Sequence, residues 1–241
     1  MKILPDTGFE TLANITSSGS DANFPVSNVV DIEPMLRWHA DAYSGDVWIK
    51  WDFGVAVALT GLFLNRCNFP HAHFQAADTD SWTTPPVDVG LDLVLDDAGN
   101  RKGFFEVTAT RRWCRLLIPG SQTLDNSETV PAVGNLIVGA PATMPVSDFS
   151  PDLAQQVRRF EPTGGAISQD RIGRAHHILN VSVANSRAVV RAIPKNWDHA
   201  VFAADLGYAA EAWLVLPPSS WPQPVRNLLD AQLRVTLEEK P

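Results

Sequence analysis

Cysteine is scarce in this chain of 241 residues: Cys67 and Cys114 are the only two, too few for a disulfide-stapled scaffold. Both read as small buried hydrophobes, with a single bridge between neighbouring strands as the other reading. Long apolar runs are missing too. The longest, Val55 to Leu64, is interrupted by Thr60 and Gly61 and falls short of the roughly 18 residues that a membrane span requires. Met1 to Leu4 begins like a targeting segment, but Pro5, Asp6 and Glu10 leave no apolar stretch behind it, so no secretory route is expected. Basic charge is the third shortage. With 19 Lys and Arg against 27 Asp and Glu, the net charge of −8 disfavours binding to nucleic-acid phosphates or to an anionic membrane surface. Catalytic signatures are absent as well: there is no G-x-S-x-G elbow, P-loop, H-E-x-x-H or G-x-G-x-x-G. Without a nucleophile and a positioned base, the expectation is a non-catalytic protein with no cofactor.

Turn formers and period-2 alternation are plentiful. Eighteen prolines and fifteen glycines favour a mainly β class. In Val47 to Phe53, residues Val47, Ile49, Trp51 and Phe53 fall on one face, and Trp48, Lys50 and Asp52 on the other. Asp52-Phe53-Gly54 reads as a break, followed by Val55 to Leu64 as a central strand, apolar on both faces. Arg111 to Ile118 alternates, Pro119-Gly120 stops it, and Val133 to Gly139 gives one more short strand. The segment Pro141 to Asp152, with three prolines, has linker composition and sets a boundary between domains 1–140 and 141–241. Beyond it, His176 to Val183, Ala188 to Ile193, Ala212 to Leu216 and Leu228 to Leu237 read as strands. Trp197, Val201, Phe202 and Leu206 fall at helical spacing between an Asn196 cap and Gly207, which predicts one short helix.

Few side chains suggest chemistry. His71 and His73 share a face of an extended segment with Asp78 and Asp80 close behind, but no third ligand falls at a characteristic spacing, so no metal site is expected. Asp96-Asp97, followed by Ala-Gly-Asn, reads as a turn rather than a glycosidase pair. Aromatic residues in polar loops are harder to explain by packing alone. Trp38, Tyr43 and Trp82, with His39, Asn68 and His71, form the candidate carbohydrate-binding set. Trp48, Trp51 and Trp113 belong to strands and read as core or sheet surface. Arg158, Arg159, Arg171, Arg174, Arg187 and Arg191 outnumber the nearby acids, and arginine is favoured at interfaces, so they are the candidate subunit contacts.

The order Asn28, Asp31, Pro34, Arg37, Trp38, then Trp48, Asp52, Phe53, Gly54, then Leu62, Leu64 and Asn68 resembles the opening of a discoidin-like, galactose-binding-like jelly roll. That resemblance covers roughly the first 120 residues and implies adhesion. The calcium held by many such modules is not expected here, because Ile32, Met35 and Leu36 stand where oxygen donors are expected. Over the whole chain, the module followed by Val133 to Gly139, Arg158 to Gly165 and the terminal Leu233 to Pro241 resembles tail-tip (distal-tail or minor tail) proteins of long-tailed bacteriophages. The resemblance implies a discoidin-like jelly-roll sandwich followed by a tail-tube-like β-sandwich. It further implies a structural virion protein assembled in the host cytoplasm, forming a ring, a hexamer by resemblance to such proteins, with tube, hub or fibre proteins as neighbours and a host surface glycan as a further partner. The alternative is a free-standing glycan-binding protein, or the binding module of a carbohydrate-active system.

Overall fold

The computed structural model describes residues 2–5, 14–30, 36–96, 99–143, 146–160, 168–183, 200–203, 212–216 and 233–239, with side chains for Leu4 and for residues 14–30, 36–96 and 99–141. In chain order the first strands are β1 (Lys2–Pro5), β2 (Thr16–Ser17), β3 (Trp38–His39), β4 (Val47–Cys67), β5 (His71–Ala77), β6 (Val87–Asp92), β7 (Val94–Leu95) and β8 (Arg101–Ile118). There follow β9 (Ala132–Val133), β10 (Asn135–Gly139), β11 (Ala142–Thr143), β12 (Val146–Phe160), β13 (Ser168–Val183), β14 (Ala200–Ala203), β15 (Ala212–Leu216) and β16 (Leu233–Glu239). Among the described residues the only helical turns are the short 3₁₀ segments Val26–Val30 and Asp125–Ser127. The chain is mainly β.

A long antiparallel ribbon organises the sheet that runs from β2 to β10. β4 and β8 pair from Val47 opposite Ile118 to Cys67 opposite Arg101, with register shifts between Asp52 and Val57, Leu59 and Gly61, and Leu64 and Cys67. Sequence periodicity predicts a break at Asp52-Phe53-Gly54. The structure instead bulges there and keeps the strand, with Gly54 at φ +73° and its N–H donating to Asp52 Oδ1 at 2.8 Å. A bulge bends a strand without ending its ladder, which is why one strand serves both halves of the module. Sheet order is β10-β4-β8-β5-β6, with β2 on β4 and β7 on β8.

Inward residues of both halves meet in one core: Ile49, Trp51, Leu62, Leu64, Phe74, Leu116, Ile118, Leu136 and Val138. Each such side chain contributes roughly 1.5–3 kcal/mol when withdrawn from water, so this β-sandwich core is the main stabilising term. Val47, Ile49 and Trp51 point inward as their alternation predicts. Leu59 and Gly61 to Leu64 are buried on both faces, whereas Val55 at the bulge is 67 % exposed. Cys67 and Cys114 are free thiols inside the core; burial pushes Cys114 up to about 12 and Cys67 higher still.

The second sheet runs β11-β1-β14-β15-β16-β13-β12. β13 takes in the predicted strand His176 to Val183, β15 matches Ala212 to Leu216, and β16 covers the end of the predicted Leu228 to Leu237 strand. Ala188 to Ile193 and the helical positions Trp197 and Leu206 lie outside the described residues. Two expectations are corrected. Ala200–Ala203 is a strand laddered to β1 on one side and β15 on the other, not part of a helix. Val201 and Phe202 suit either period, and pairing on both edges decides. The Pro-rich segment is likewise not all linker, because Val146–Phe160 pairs along β13 with Pro151 opposite Leu179.

Candidate functional site

The outer face of the first sheet, turned away from the core, carries an array of aromatic and charged side chains built strand by strand. Register places Thr16, Lys50, Arg115, Gln75 and Asp88 in one row across β2, β4, β8, β5 and β6. The adjoining rows hold Trp48, Leu117, His73 and Gly90 on one side, and Asp52, Trp113 and Ala77 on the other. Trp48 and Trp113 are half-buried. Lys50 Nζ sits between them, 4.9 Å from the Trp48 ring centroid and 5.3 Å from that of Trp113.

Trp82 reaches this face from the loop between β5 and β6. Its indole N–H donates to Asp80 Oδ1 at 2.5 Å, and Asp80 Oδ2 accepts from Lys50 Nζ at 2.7 Å. The guanidinium carbon of Arg115 lies 4.6 Å from the Trp82 ring centroid. Arg115 Nε and Nη2 both donate to Gln75 Oε1, at 2.9 and 2.5 Å, while Gln75 Nε2 donates to Asp88 Oδ2 at 2.8 Å. Asp88 Oδ1 also meets His73 Nδ1 at 2.8 Å, and farther along the face His71 Nδ1 meets Asp92 Oδ1 at 2.6 Å. The two histidines thus share a face as expected but engage different carboxylates, and Asp80 is held by Lys50. The result is a platform of three tryptophan rings edged by amide, guanidinium, ammonium and carboxylate groups. Rings of this kind stack on the apolar C–H faces of a flat ligand while the polar groups meet its hydroxyls.

Titration of this face has a definite sign. The Lys50 ammonium, and then the Trp82 N–H, hold Asp80 below the usual carboxylate range against the opposing effect of burial. Burial pushes Asp88 up, but hydrogen bonds from Gln75 and His73 outweigh it and the net direction is down. Because folding depresses both, their stabilisation is present above the unfolded value of roughly 3.9 and is lost as pH falls through the lower folded values. Asp80→Asn is expected to flatten the acid limb of stability. Since Asp80 is open to solvent on one side, the cost at neutral pH is under about 1 kcal/mol. Urea midpoints of the two proteins at pH 7 and pH 3 check this: the midpoints should converge at the acid value.

One end of the sandwich is closed by the loop of residues 119–131. Asn68, fully buried, holds it in place: Nδ2 donates to Glu128 Oε2 at 2.6 Å and to Val130 O at 2.8 Å, and Oδ1 accepts from Ala132 N–H at 2.8 Å. Arg37 meets Glu128 at 3.2 Å, and Arg101 grips Asp125 through two nitrogens. Gln122 exchanges two hydrogen bonds with the His71 backbone, both at 2.9 Å.

The six candidate residues from the sequence do not converge on one surface. Trp38 has no exposure and its indole N–H donates to Ser20 Oγ at 2.9 Å, so its ring packs in the core and presents no stacking face. Asn68 is equally enclosed and serves the loop. His39 stacks on Phe24, centroids 4.2 Å apart, and burial, then Arg37, lowers its pKa. Tyr43 donates its hydroxyl to Pro119 O at 2.5 Å, and burial raises its phenol. Only His71 and Trp82 stand on the platform. Trp48 and Trp113, read from the sequence as core or sheet surface, stand on the outer sheet face, and the alternation that sets Trp48 and Lys50 opposite the core is the signal for it. Among the candidate contacts, Arg158 stands opposite Asp170 and Arg171 opposite Val157 in the β12–β13 ladder, and Arg159 and Arg174 lie in the same two strands. Arg187, Arg191 and the Asp31 loop lie outside the described residues.

Neither a family model nor a curated protein matches the sequence. Solved structures similar to this chain include chitosan-binding module 1 of a chitosanase/glucanase from Paenibacillus sp. IK-5, at 16 % identity and TM-score 0.39, covering 54 % of this chain and 96 % of that one. The lectin domain of lectinolysin complexed with Lewis B antigen matches at 11 % identity and TM-score 0.43, covering 58 % and 100 %. XRCC1 bound to the DNA pol beta catalytic domain matches at 7 % identity and TM-score 0.41, covering 53 % and 94 %.

Proposed function

We propose that this chain is a non-catalytic glycan-binding component of a bacteriophage tail tip, with the platform of Trp48, Trp82 and Trp113 as its sugar-binding surface. The observation that carries the binding reading is this cluster of half-buried indoles on a sheet face that is otherwise charged. Indole rings on a solvated face keep apolar area in water, which a stacked ligand removes. Single-site affinity on so open a surface is weak, and many copies in one assembly raise it by avidity. A ring of subunits at a tail tip supplies that multiplicity. The ring, its hexameric number, its contacts through the arginines of residues 158–191 and its virion location rest on the sequence resemblance.

Trp82→Ala is expected to lower binding to a glycan array about tenfold relative to the unmutated protein, since a stacked ring is worth on the order of 1.4 kcal/mol. Equal binding by the two proteins removes Trp82 from the surface. The tail reading is tested separately on assembled particles: density for a closed ring containing this chain supports it. One or two copies per particle, or a chain found free of particles, leaves the free-standing glycan-binding protein.

A further inference from the structure

We infer that the platform takes an acidic polysaccharide, one whose sugar residues carry carboxylates, and that Arg115 receives the carboxylate. This rests on the glycan-binding reading and names its substrate class. The observation is an imbalance in how the cations on and beside this face are matched. Lys50 meets Asp80 at 2.7 Å, Arg112 meets Asp52 through two bonds of 2.7 Å, and Arg111 meets Asp78 at 3.7 Å. His73 and His71 each have an aspartate, Asp88 and Asp92. Arg115 alone on this face has no carboxylate at ion-pair distance among the described residues. Its Nε and Nη2 donate to a neutral amide oxygen, that of Gln75, and Nη1 has no protein partner there.

The surroundings keep this cation available. Asp88 is turned to Gln75 and His73, Asp80 to Lys50 and Trp82, and Asp46 to the Gly120 N–H, so the acids around Arg115 are already engaged. Gln75 Oε1 and the Trp82 ring fix the guanidinium on two sides, and a pre-oriented guanidinium loses less on forming a planar pair with a carboxylate. Burial lowers the pKa of Arg115 and outweighs the opposing effect of Asp88, Asp46 and Asp80, none of which pairs with it directly. Trp113 stands two residues before Arg115 on the same strand face, roughly 6.6 Å away along it, so one ligand spans an aromatic stacking position and a charge-pairing position. Gly90, in the adjoining row, adds no side chain: a Cβ there would meet nothing within 4 Å, and the face stays open beside His73.

The experiment compares binding of the full chain to polygalacturonate, alginate and hyaluronan with binding to the same three polymers after carboxyl reduction, each at low and moderate salt. At least one acidic polymer is expected to bind about tenfold more tightly than its reduced form, the preference shrinking as salt rises. Arg115→Gln is expected to bind both forms alike at the reduced-polymer level, and Arg115→Lys to recover only part of the preference. Equal binding of acidic and reduced polymers by the unmutated protein, with Trp82→Ala weakening both, overturns the acidic-sugar inference and leaves glycan binding standing. A preference that survives in folded Arg115→Gln overturns the role of Arg115. Failure to bind any polymer in either form overturns this inference together with the glycan reading on which it rests. The reduced polymers test the idea without a mutation, so a misfolded Arg115 variant does not remove the test.

Discussion

Asn68→Ala is expected to cost about 3 kcal/mol of folding stability, because the alanine leaves Ala132 N–H, Val130 O and Glu128 Oε2 without their Asn68 partner, while Glu128 Oε1 keeps Arg37. Each buried orphan costs about 1–3 kcal/mol, and water entering from the loop side offsets part of the sum. Asn68→Asp discriminates between loss of volume and loss of donors. It preserves shape and keeps an acceptor for Ala132 N–H, yet turns a second oxygen toward Glu128 and Val130 O. That carboxyl is pushed upward by burial and by Glu128, so its penalty is smallest below the unfolded value of roughly 3.9 and grows as pH rises through the folded one. Urea unfolding at pH 4 and pH 7 reads both effects. A change under about 0.5 kcal/mol for Asn68→Ala would mean that the loop of residues 119–131 is not held by this amide.

Gly120→Ala is the second large expected effect, about 2–3 kcal/mol, by overpacking against backbone. A Cβ on Gly120 would lie 2.6 Å from the Gly45 Cα, and neither chain has a flexible end to move aside. The same contact is one-sided. A Cβ on Gly45 would meet nothing within 4 Å, so Gly45→Ala is expected to be close to neutral. Loops 40–46 and 119–123 are joined here by the Asp46 carboxylate accepting Gly120 N–H at 2.9 Å and by the Tyr43 hydroxyl on Pro119 O. Pushing the backbones apart strains both bonds, so thermal melts of the two variants should differ by well over the roughly 0.5 kcal/mol of an ordinary surface change. Equal melts would show that the close approach is absent in solution.

Alternation alone makes the start of β4 legible: Ile49 and Trp51 inward, Trp48 and Lys50 outward. It does not reveal the platform. Register between distant segments decides that Lys50 stands beside Arg115 and Gln75, and nothing local in residues 50, 75 and 115 records it. Trp38 misleads for the opposite reason. Its polar neighbours Arg37 and His39 signal a loop, yet two residues of pairing with β9 carry the ring inside. At Asp52-Phe53-Gly54, a glycine at positive φ suits a turn and a bulge alike, and only the partner strand separates them. Val201 and Phe202 fit a helix by spacing, whereas the edges offered by β1 and β15 draw them into a ladder.

Topology has one more consequence. β1 pairs with β11, Lys2 opposite Thr143 and Ile3 opposite Ala142, so the sandwich is spliced between two adjacent strands of the other sheet. Its entry and exit points therefore lie side by side. Such a cassette can be exchanged between related chains without redrawing the host sheet, and a load on its outer surface divides between two neighbouring peptide connections instead of one.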